Sequence, residues 1–249
     1  MRRSAAFREA ARLSSAAGTP RVKAALARAL FRQTAAAWDA WYGAFHRAED
    51  TDLGPLADRL SRLARGGRLL EVGCGDCRLL AELAGRCRRV DGVDPSARAL
   101  AFARGSVSGL RNVRLLRLED WSLPFPDGTF DAVVCQRTLN ILDPEAALLM
   151  LGEARRVLRP GGRVAFNLAN FHHEPFLSAL TTPGASPWPS LTRPRYWTEE
   201  MVRAALPRVG LEVVSLKAAA WIDVVAQQSA TNGRRPRAAQ KSAKAPAVR

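Results

Sequence analysis

Residues 69–75 read Leu-Leu-Glu-Val-Gly-Cys-Gly, a short and mostly apolar stretch that ends in two glycines one residue apart. Such a run, bounded by glycines, is typical of a buried strand that ends in a tight turn. Glycine in that turn lets the backbone bend sharply and come within contact distance of a ligand. A Gly-x-Gly pair alone fits any strand-to-helix turn, so the sequence on either side must decide its meaning.

The sequence around this stretch alternates between strand and helix patterns. This alternation predicts a parallel sheet with helices on both faces. Two strands with only a short link close the series, which predicts a hairpin and one antiparallel strand. Helical spacing before the glycines predicts two further helices, over 21–46 and 56–64. The predicted strands are 68–72, 89–93, 113–116, 131–135, 163–168, 211–216 and 221–225, and the helices among them are 77–85, 97–104, 143–158 and 198–206.

Composition excludes several classes of protein. The chain has 249 residues, of which 47% are hydrophobic and 24% charged, so it can bury a full core and is not disordered as a whole. No run reaches the roughly 18 consecutive apolar residues of a transmembrane helix, so no membrane span is expected. Four cysteines and no recognisable secretory signal predict a cytoplasmic protein.

The net charge of +15 is concentrated at the two ends of the chain. Residues 1–32 hold eight Lys and Arg and one acid, and residues 229–249 hold six and no acid. The segment between them carries a net charge of only +2. A nucleic-acid-binding domain more often has its positive charge on the folded part. The distribution therefore favours solvated basic termini, with contact to an acidic partner as the alternative.

Asp94 ends the second predicted strand, 19 residues after Gly75. In a doubly wound sheet, ligands bind at the carboxyl ends of the strands where the strand order reverses. A carboxylate there can accept hydrogen bonds from both ribose hydroxyls of an adenosine. The alternative is that Asp94 caps the following helix. Arg78 occupies the position of the third glycine in the dinucleotide fingerprint, which argues against a nicotinamide or flavin dinucleotide.

Five segments of the chain form a recognisable set of motifs. They are 70–75 (Leu-Glu-Val-Gly-Cys-Gly), 93–96 (Val-Asp-Pro-Ser), 118–121 (Leu-Glu-Asp-Trp), 123–131 (Leu-Pro-Phe-Pro-Asp-Gly-Thr-Phe-Asp) and 153–162 (Glu-Ala-Arg-Arg-Val-Leu-Arg-Pro-Gly-Gly). At these residues the chain resembles the class I S-adenosylmethionine-dependent methyltransferases, and within them the type 11 group. The resemblance covers roughly residues 69–170, and its motifs follow the family's order and spacing. Each motif is common, but the set is specific.

The resemblance implies a Rossmann-like, doubly wound α/β fold whose seven-stranded sheet has its last strand antiparallel. It implies S-adenosyl-L-methionine as the cofactor. The expected cofactor-binding residues are Glu71 near the amino group, Gly73 and Gly75 along the amino-acid end, Asp94 at the ribose, Ser96, Asp120 and Trp121 at the adenine, and Gln136 by the methionine part. Cys74 and Pro95 are expected to bind the cofactor as well. Trp121 as ordinary core and Gln136 as an ordinary loop residue are the alternatives.

The implied reaction is transfer of a methyl group to an O, N or C nucleophile of a small-molecule acceptor. A general base is needed only for an acceptor that is protonated at neutral pH, so the sequence need not contain a catalytic residue. His172, His173 and Tyr42 are weak candidates for such a base. His46 lies on the same predicted helix as Tyr42.

Three other functions stay open. The first is an RNA or other nucleic-acid methyltransferase that uses the basic termini, although Cys135-Gln136-Arg137-Thr138 departs from the Asn/Asp-Pro-Pro-aromatic segment of enzymes that methylate base amines. The second is a non-catalytic module that binds an adenosyl ligand, and the third is a dinucleotide oxidoreductase.

Cys74 and Cys77 have C-x-x-C spacing, but Cys87 and Cys135 form no second close pair, so a zinc site is not expected.

The expected division of the chain is a flexible basic N-terminus over 1–20, a helical cap over 21–66, the methyltransferase domain over 67–228 and a disordered basic tail over 229–249. Within the domain, the proline-rich residues 170–196 are expected to be a substrate-side insertion.

Overall fold

The computed structural model describes residues 20–44, 51–181 and 194–229. The expected basic termini, His46 and the middle of the expected insertion lie outside these ranges. In chain order, the elements are α1 (Pro20–Ala44), α2 (Gly54–Ala64), β1 (Arg68–Val72), α3 (Arg78–Ala84), β2 (Arg89–Asp94), α4 (Ala97–Ser106), β3 (Val113–Arg117), β4 (Phe130–Cys135), α5 (Pro144–Val157), β5 (Leu158–Asn170), α6 (Glu174–Thr181), β6 (Tyr196–Trp197), α7 (Glu199–Ala205), β7 (Leu211–Ala218) and β8 (Trp221–Gln228).

The strands form one sheet in the order β3-β2-β1-β4-β5-β8-β7. The strands from β3 to β5 are parallel, and β8 pairs antiparallel with both β5 and β7. The predicted doubly wound fold and its antiparallel last strand are confirmed. The two-residue β6 adds a further strand, parallel to the end of β5. The strand order reverses between β1 and β4, so ligands are expected at the carboxyl ends of these strands.

Both faces of the sheet are buried, which explains why its strands lack a simple alternation of apolar and polar residues. Consecutive residues of β1, Leu69 and Leu70, belong to different core clusters, one on each face. Consecutive residues of β4, Val133 and Val134, divide in the same way. Within the described part of the chain, none of the helices combines the length and apolar character needed to cross a membrane.

Two elements differ from the sequence prediction. The expected insertion over 170–196 contains a helix that was not predicted, α6, where Pro175 occupies the first turn and therefore removes no helical hydrogen bond. Strand β5 begins at Leu158, five residues before the predicted start, and passes through Gly161 with φ 77°. Leu158 pairs with Phe130 of β4, so the Pro-Gly-Gly segment ends α5 without ending the sheet pairing.

Candidate functional site

A cavity of about 570 Å³ lies where β1, β2 and β4 end. Helix α1 contributes one helical face to its wall, through Phe31, Thr34, Trp38, Trp41 and Tyr42. Pro194 and Trp221 line it from the side of β6 and β8. The cavity is therefore at the switch point that the topology identifies as the ligand site.

The turn after β1 is shaped by two glycines in the left-handed region, Gly73 with φ 71° and Gly75 with φ 54°. The backbone N–H groups of Gly73 and Cys74 donate to the carbonyl of Val93, which ties the turn to β2. A Cβ atom at Gly73 would collide with the side chain of Thr138, and one at Gly75 would collide with the hydroxyl of Tyr42. Both positions therefore need glycine, because of their backbone conformation and because of their neighbours.

Asp94, the last residue of β2, connects this turn to the next one. Its carboxylate accepts hydrogen bonds from the backbone N–H groups of Gly75 at 3.0 Å and Ser96 at 2.8 Å, one on each oxygen. Burial raises the pKa of Asp94 to about 6, although these two N–H groups oppose the shift. Each carboxylate oxygen retains a further lone pair, so Asp94 still has the capacity to accept hydrogen bonds from a ligand.

Glu71 lines the same part of the cavity and is only 4% exposed. Its Oε2 has no hydrogen-bond partner among the described residues. Burial raises the pKa of Glu71 well above the usual range, and the negative charges of Asp76 and Asp94 add to this effect. A buried acidic group without a partner costs free energy, which a cationic ligand group would recover.

Ser96 and Asp120, two of the predicted adenine contacts, do not line the cavity. The hydroxyl of Ser96 caps α4 by accepting from the N–H of Ala99, and it donates to Asp39 of α1. The carboxylate of Asp120 accepts from the N–H of Ser122 in its own turn. Both side chains therefore bond to neighbouring groups of the chain. Ser96, and not Asp94, is the N-cap residue of α4.

Asp39 joins α1 to the first turn of α4. Its carboxylate also accepts from the backbone N–H of Arg98 at 2.9 Å, and this bond lowers the pKa of Asp39. The contact fixes α1 at the end that carries Trp41 and Tyr42 and so keeps both side chains against the cavity.

Sequence reasoning did not assign cavity positions to Phe31, Trp38 or Trp41, because their helical spacing indicates only an apolar face.

Trp121 lines the cavity on a loop that a charged cluster holds in place. Its indole packs edge-to-face against Phe31, with ring centroids 5.1 Å apart. The guanidinium of Arg156 donates to the carbonyls of Leu123 and Phe125 and to both carboxylate oxygens of Glu153. Through these bonds the segment 153–162 anchors the segment 123–131, which explains why the two motifs occur together.

The loop after β4 supplies Gln136, Arg137, Thr138 and Asn140 to the wall. Arg137 has a left-handed backbone, with φ 54°, and its N–H donates to the side-chain oxygen of Asn167 at 2.7 Å. A strained residue that is held by a buried partner is common at functional sites. Asn140 was not among the predicted site residues, because a single asparagine has no spacing pattern that would identify it.

The three weak candidates for a base lie in different places. Tyr42 lines the cavity, and burial raises the pKa of its hydroxyl well above the usual range, so it stays protonated at neutral pH. His172 and His173 follow the end of β5 and do not line the cavity. His173 packs edge-to-face on Phe176, which in turn packs on Trp221 of the wall.

All four cysteines are buried and carry free thiols. A hydrogen bond with Cys77 and burial raise the pKa of the Cys74 thiol well above the usual range. Among the described residues, no three His, Cys, Asp or Glu side chains are grouped as metal ligands.

Comparison with known proteins agrees with this geometry. Residues 69–162 match the family model described as a methyltransferase domain. Over these residues the chain is similar to methyltransferases. The partnerless Oε2 of Glu71 and the glycine turn would suit a ligand whose end bears an ammonium group.

Three of the proteins that this chain is similar to are methyltransferases with different names. The demethylmenaquinone methyltransferase of Tropheryma whipplei is 30% identical over 149 residues, which are 59% of each chain. The phosphatidylethanolamine N-methyltransferase of Cereibacter sphaeroides is 43% identical over 105 residues, or 41% of this chain and 50% of that one. The magnesium protoporphyrin IX methyltransferase of Synechocystis, solved with S-adenosylhomocysteine, is 16% identical with a TM-score of 0.58, covering 78% and 95% of the two chains.

The match to the Tropheryma whipplei protein therefore spans about three-fifths of that relative's length. These relatives are named for different methyl acceptors. The acceptor of this chain must therefore be inferred from its own cavity.

Proposed function

We propose that this chain is an S-adenosylmethionine-dependent methyltransferase that methylates a small-molecule acceptor. The observation that carries the proposal is the joint placement of the glycine turn, Glu71 and Asp94 around one cavity at the switch point. When bound, the cofactor supplies an electrophilic methyl group on a sulfonium. The residues of this chain would bind and orient the two reactants and exclude water from them.

The residues where β1 and β2 end would bind the cofactor. The carboxylate of Glu71 would accept hydrogen bonds from the ammonium group, and that of Asp94 would accept from the ribose hydroxyls, as charge-assisted bonds. Gly73, Cys74, Gly75 and Pro95 would form the surface on which it lies, and Trp121 would cover the adenine. Gln136 lies on the loop after β4 and would be placed between the cofactor and the acceptor.

Catalysis would rest mainly on orientation and on exclusion of water. Alignment of a nucleophile with the bond that breaks lowers the barrier by several kcal/mol without any proton transfer. The described residues of the cavity wall include no histidine, and Tyr42 stays protonated, so none of the three weak candidates is supported as a base. The acceptor atom would be an O, N or C nucleophile that can lose its proton without a general base from the chain.

The cytoplasm is the proposed compartment. Four buried free thiols are typical of a reducing environment.

A thermal-shift panel tests the proposal most simply. We expect S-adenosylmethionine and S-adenosylhomocysteine to raise the melting temperature by several degrees at concentrations well above Kd, because they bind only the folded chain. NAD should have no effect, because Arg78 occupies the position that a dinucleotide site needs as glycine. A shift with NAD and none with S-adenosylhomocysteine would contradict the proposal. A screen of metabolites with a labelled methyl donor would then identify the acceptor.

A further inference from the structure

Asn140 is a buried amide in the cavity wall with an unused acceptor. It is 4% exposed, and its Oδ1 has no hydrogen-bond partner among the described residues. Native structures rarely keep a buried acceptor without a donor unless a ligand or an ordered water supplies one. Glu71, the other such residue in the wall, is assigned to the cofactor, which leaves Asn140 unassigned.

The backbone holds Asn140 in a fixed position beside the glycine turn. It lies in a short 3-10 helix, Leu139–Ile141, that directly follows Thr138. The hydroxyl of Thr138 donates within the turn, with the carbonyls of Val72 and Gln136 both at 3.1 Å. The carbonyl of Asn140 accepts from the N–H of Arg195, which places Pro194 next to it. The amide is therefore a rigid group at the boundary between the turn and the β6–β8 side of the cavity.

The wall on that side is apolar and aromatic. Ile141, Pro194 and Trp221 line it. Trp221 is supported by Phe176, with ring centroids 5.8 Å apart, and Phe176 packs on Tyr196 at 5.7 Å. Among the described residues, the carboxylates of the wall all lie at or just after the ends of β1 and β2, and the cation after β4, Arg137, is exposed. Such a surface fits an uncharged ring system better than an ionic acceptor.

We propose that Asn140 is the residue that recognises the methyl acceptor, and that the acceptor is an uncharged aromatic molecule that donates an O–H or N–H hydrogen bond to Asn140 Oδ1. This inference rests on the proposed function, since it assumes that the cofactor occupies the β1–β2 side. It makes Asn140 a specificity-determining residue and assigns it no proton transfer.

The test uses the full chain saturated with S-adenosylhomocysteine and two probes of nearly equal shape, 1-naphthol and 1-methylnaphthalene. Only 1-naphthol has a donor. We expect isothermal titration to give 1-naphthol at least a fivefold lower Kd in the unmodified protein, because a site built for a donor rejects the analogue that lacks one. Asn140→Leu should abolish the preference. Asn140→Asp, which retains acceptor oxygens, should keep it.

Two control measurements separate this role from a structural one. The affinity for S-adenosylhomocysteine should stay within threefold in Asn140→Leu, and its melting temperature should rise by about 2–4 °C, because a buried acceptor without a partner is removed. A lower melting temperature would show that Asn140 is structural and would overturn the inference.

The remaining outcomes are equally decisive. An unchanged probe preference in Asn140→Leu, or no binding of 1-naphthol to the saturated protein, would overturn the inference and leave the proposed function intact. Failure of the unmodified protein to bind S-adenosylhomocysteine would instead overturn the proposed function.

Discussion

The two sides of the cavity differ in charge. Where β1 and β2 end, the described wall carries three carboxylates, Glu71, Asp76 and Asp94, and one cation, Arg78, which forms an ion pair with Asp76 at 3.2 Å. Where β4 and β8 end, it carries amides, a hydroxyl and apolar side chains, with Arg137 exposed at its rim. The acidic side suits a ligand end that bears an ammonium group and hydroxyls, whereas the neutral side suits an uncharged molecule. One cavity thus combines an acidic surface, proposed to bind the cofactor, with a neutral surface, proposed to bind the acceptor.

The largest expected effect is at the glycine turn of the acidic side. Gly73→Ala should weaken binding of S-adenosylhomocysteine by at least about 100-fold, because the new methyl group collides with Thr138 in addition to straining the backbone. Isothermal titration measures the change. Gly66→Ala is the matched control: Gly66 has φ 72°, like the 71° of Gly73, but a Cβ there meets no atom within 4 Å. Equal losses in both variants would mean that the turn does not form the cofactor surface.

Removal of the carboxylate on β2 should have the next largest effect. Asp94→Ala should weaken cofactor binding by about 1–3 kcal/mol, the usual cost of losing a charged hydrogen-bond partner. The N–H groups of Gly75 and Ser96 would also lose their acceptor, so the melting temperature should fall. Calorimetry that found an unchanged affinity would contradict the assignment of Asp94 to the ribose.

The acidic side also predicts a pH dependence. The pKa of Asp94 is raised to about 6 from an ordinary value of 3.8, so between these pH values the folded chain binds more protons than the unfolded chain. The free energy of unfolding of the unliganded protein should therefore fall as the pH rises through this window. Affinity for S-adenosylhomocysteine should change in the opposite direction and rise from pH 5 to pH 7, by up to about tenfold per pH unit for each group that must ionise.

Titrations at several pH values, in buffers of different ionisation enthalpy, would measure both the affinity and the protons released. Asp94→Asn should reduce the slope, and the remainder should come from Glu71, whose pKa is raised as well. An affinity that is constant from pH 5 to pH 7 would show that the acidic side does not contact the ligand.

The smallest effect is expected at Ser96, which lies next to the acidic side but outside the cavity. Ser96→Ala should lower the free energy of unfolding by about 1 kcal/mol through loss of a helix cap, with less than a threefold change in cofactor affinity. Thr198→Ala, which removes the corresponding cap of α7, is the matched control in chemical denaturation. A tenfold loss of affinity in Ser96→Ala alone would restore Ser96 to the cofactor site.

Much of the fold was predictable because the strands around the glycine turn are short, apolar and separated by helical segments. The parallel order follows from that alternation, and the antiparallel β8 follows from the short link between the last two strands. Helix α6 was missed because the proline-rich residues 170–196 were interpreted as an insertion, although Pro175 is compatible with the first turn of a helix. The early start of β5 was missed because Pro160 and the glycines after it conceal a strand that pairs through Leu158.

The candidate site was predictable where a motif fixes the backbone and was not where single side chains matter. Glu71, Gly73, Cys74, Gly75, Asp94, Pro95, Trp121 and Gln136 all line the cavity. Ser96 and Asp120 follow strand ends in the same way, but their side chains bond to nearby backbone or to α1, and sequence spacing carries no information about that choice. Asn140 and the α1 aromatics reach the cavity only through tertiary packing.

The most direct test of the proposed cofactor site is a crystal structure of the chain with S-adenosylhomocysteine. We expect the ribose hydroxyls within hydrogen-bond distance of the Asp94 carboxylate and the ammonium group against Glu71. The space beside Asn140 should stay open. A ligand bound on the β4–β8 side, with its ribose away from Asp94, would contradict the proposed site.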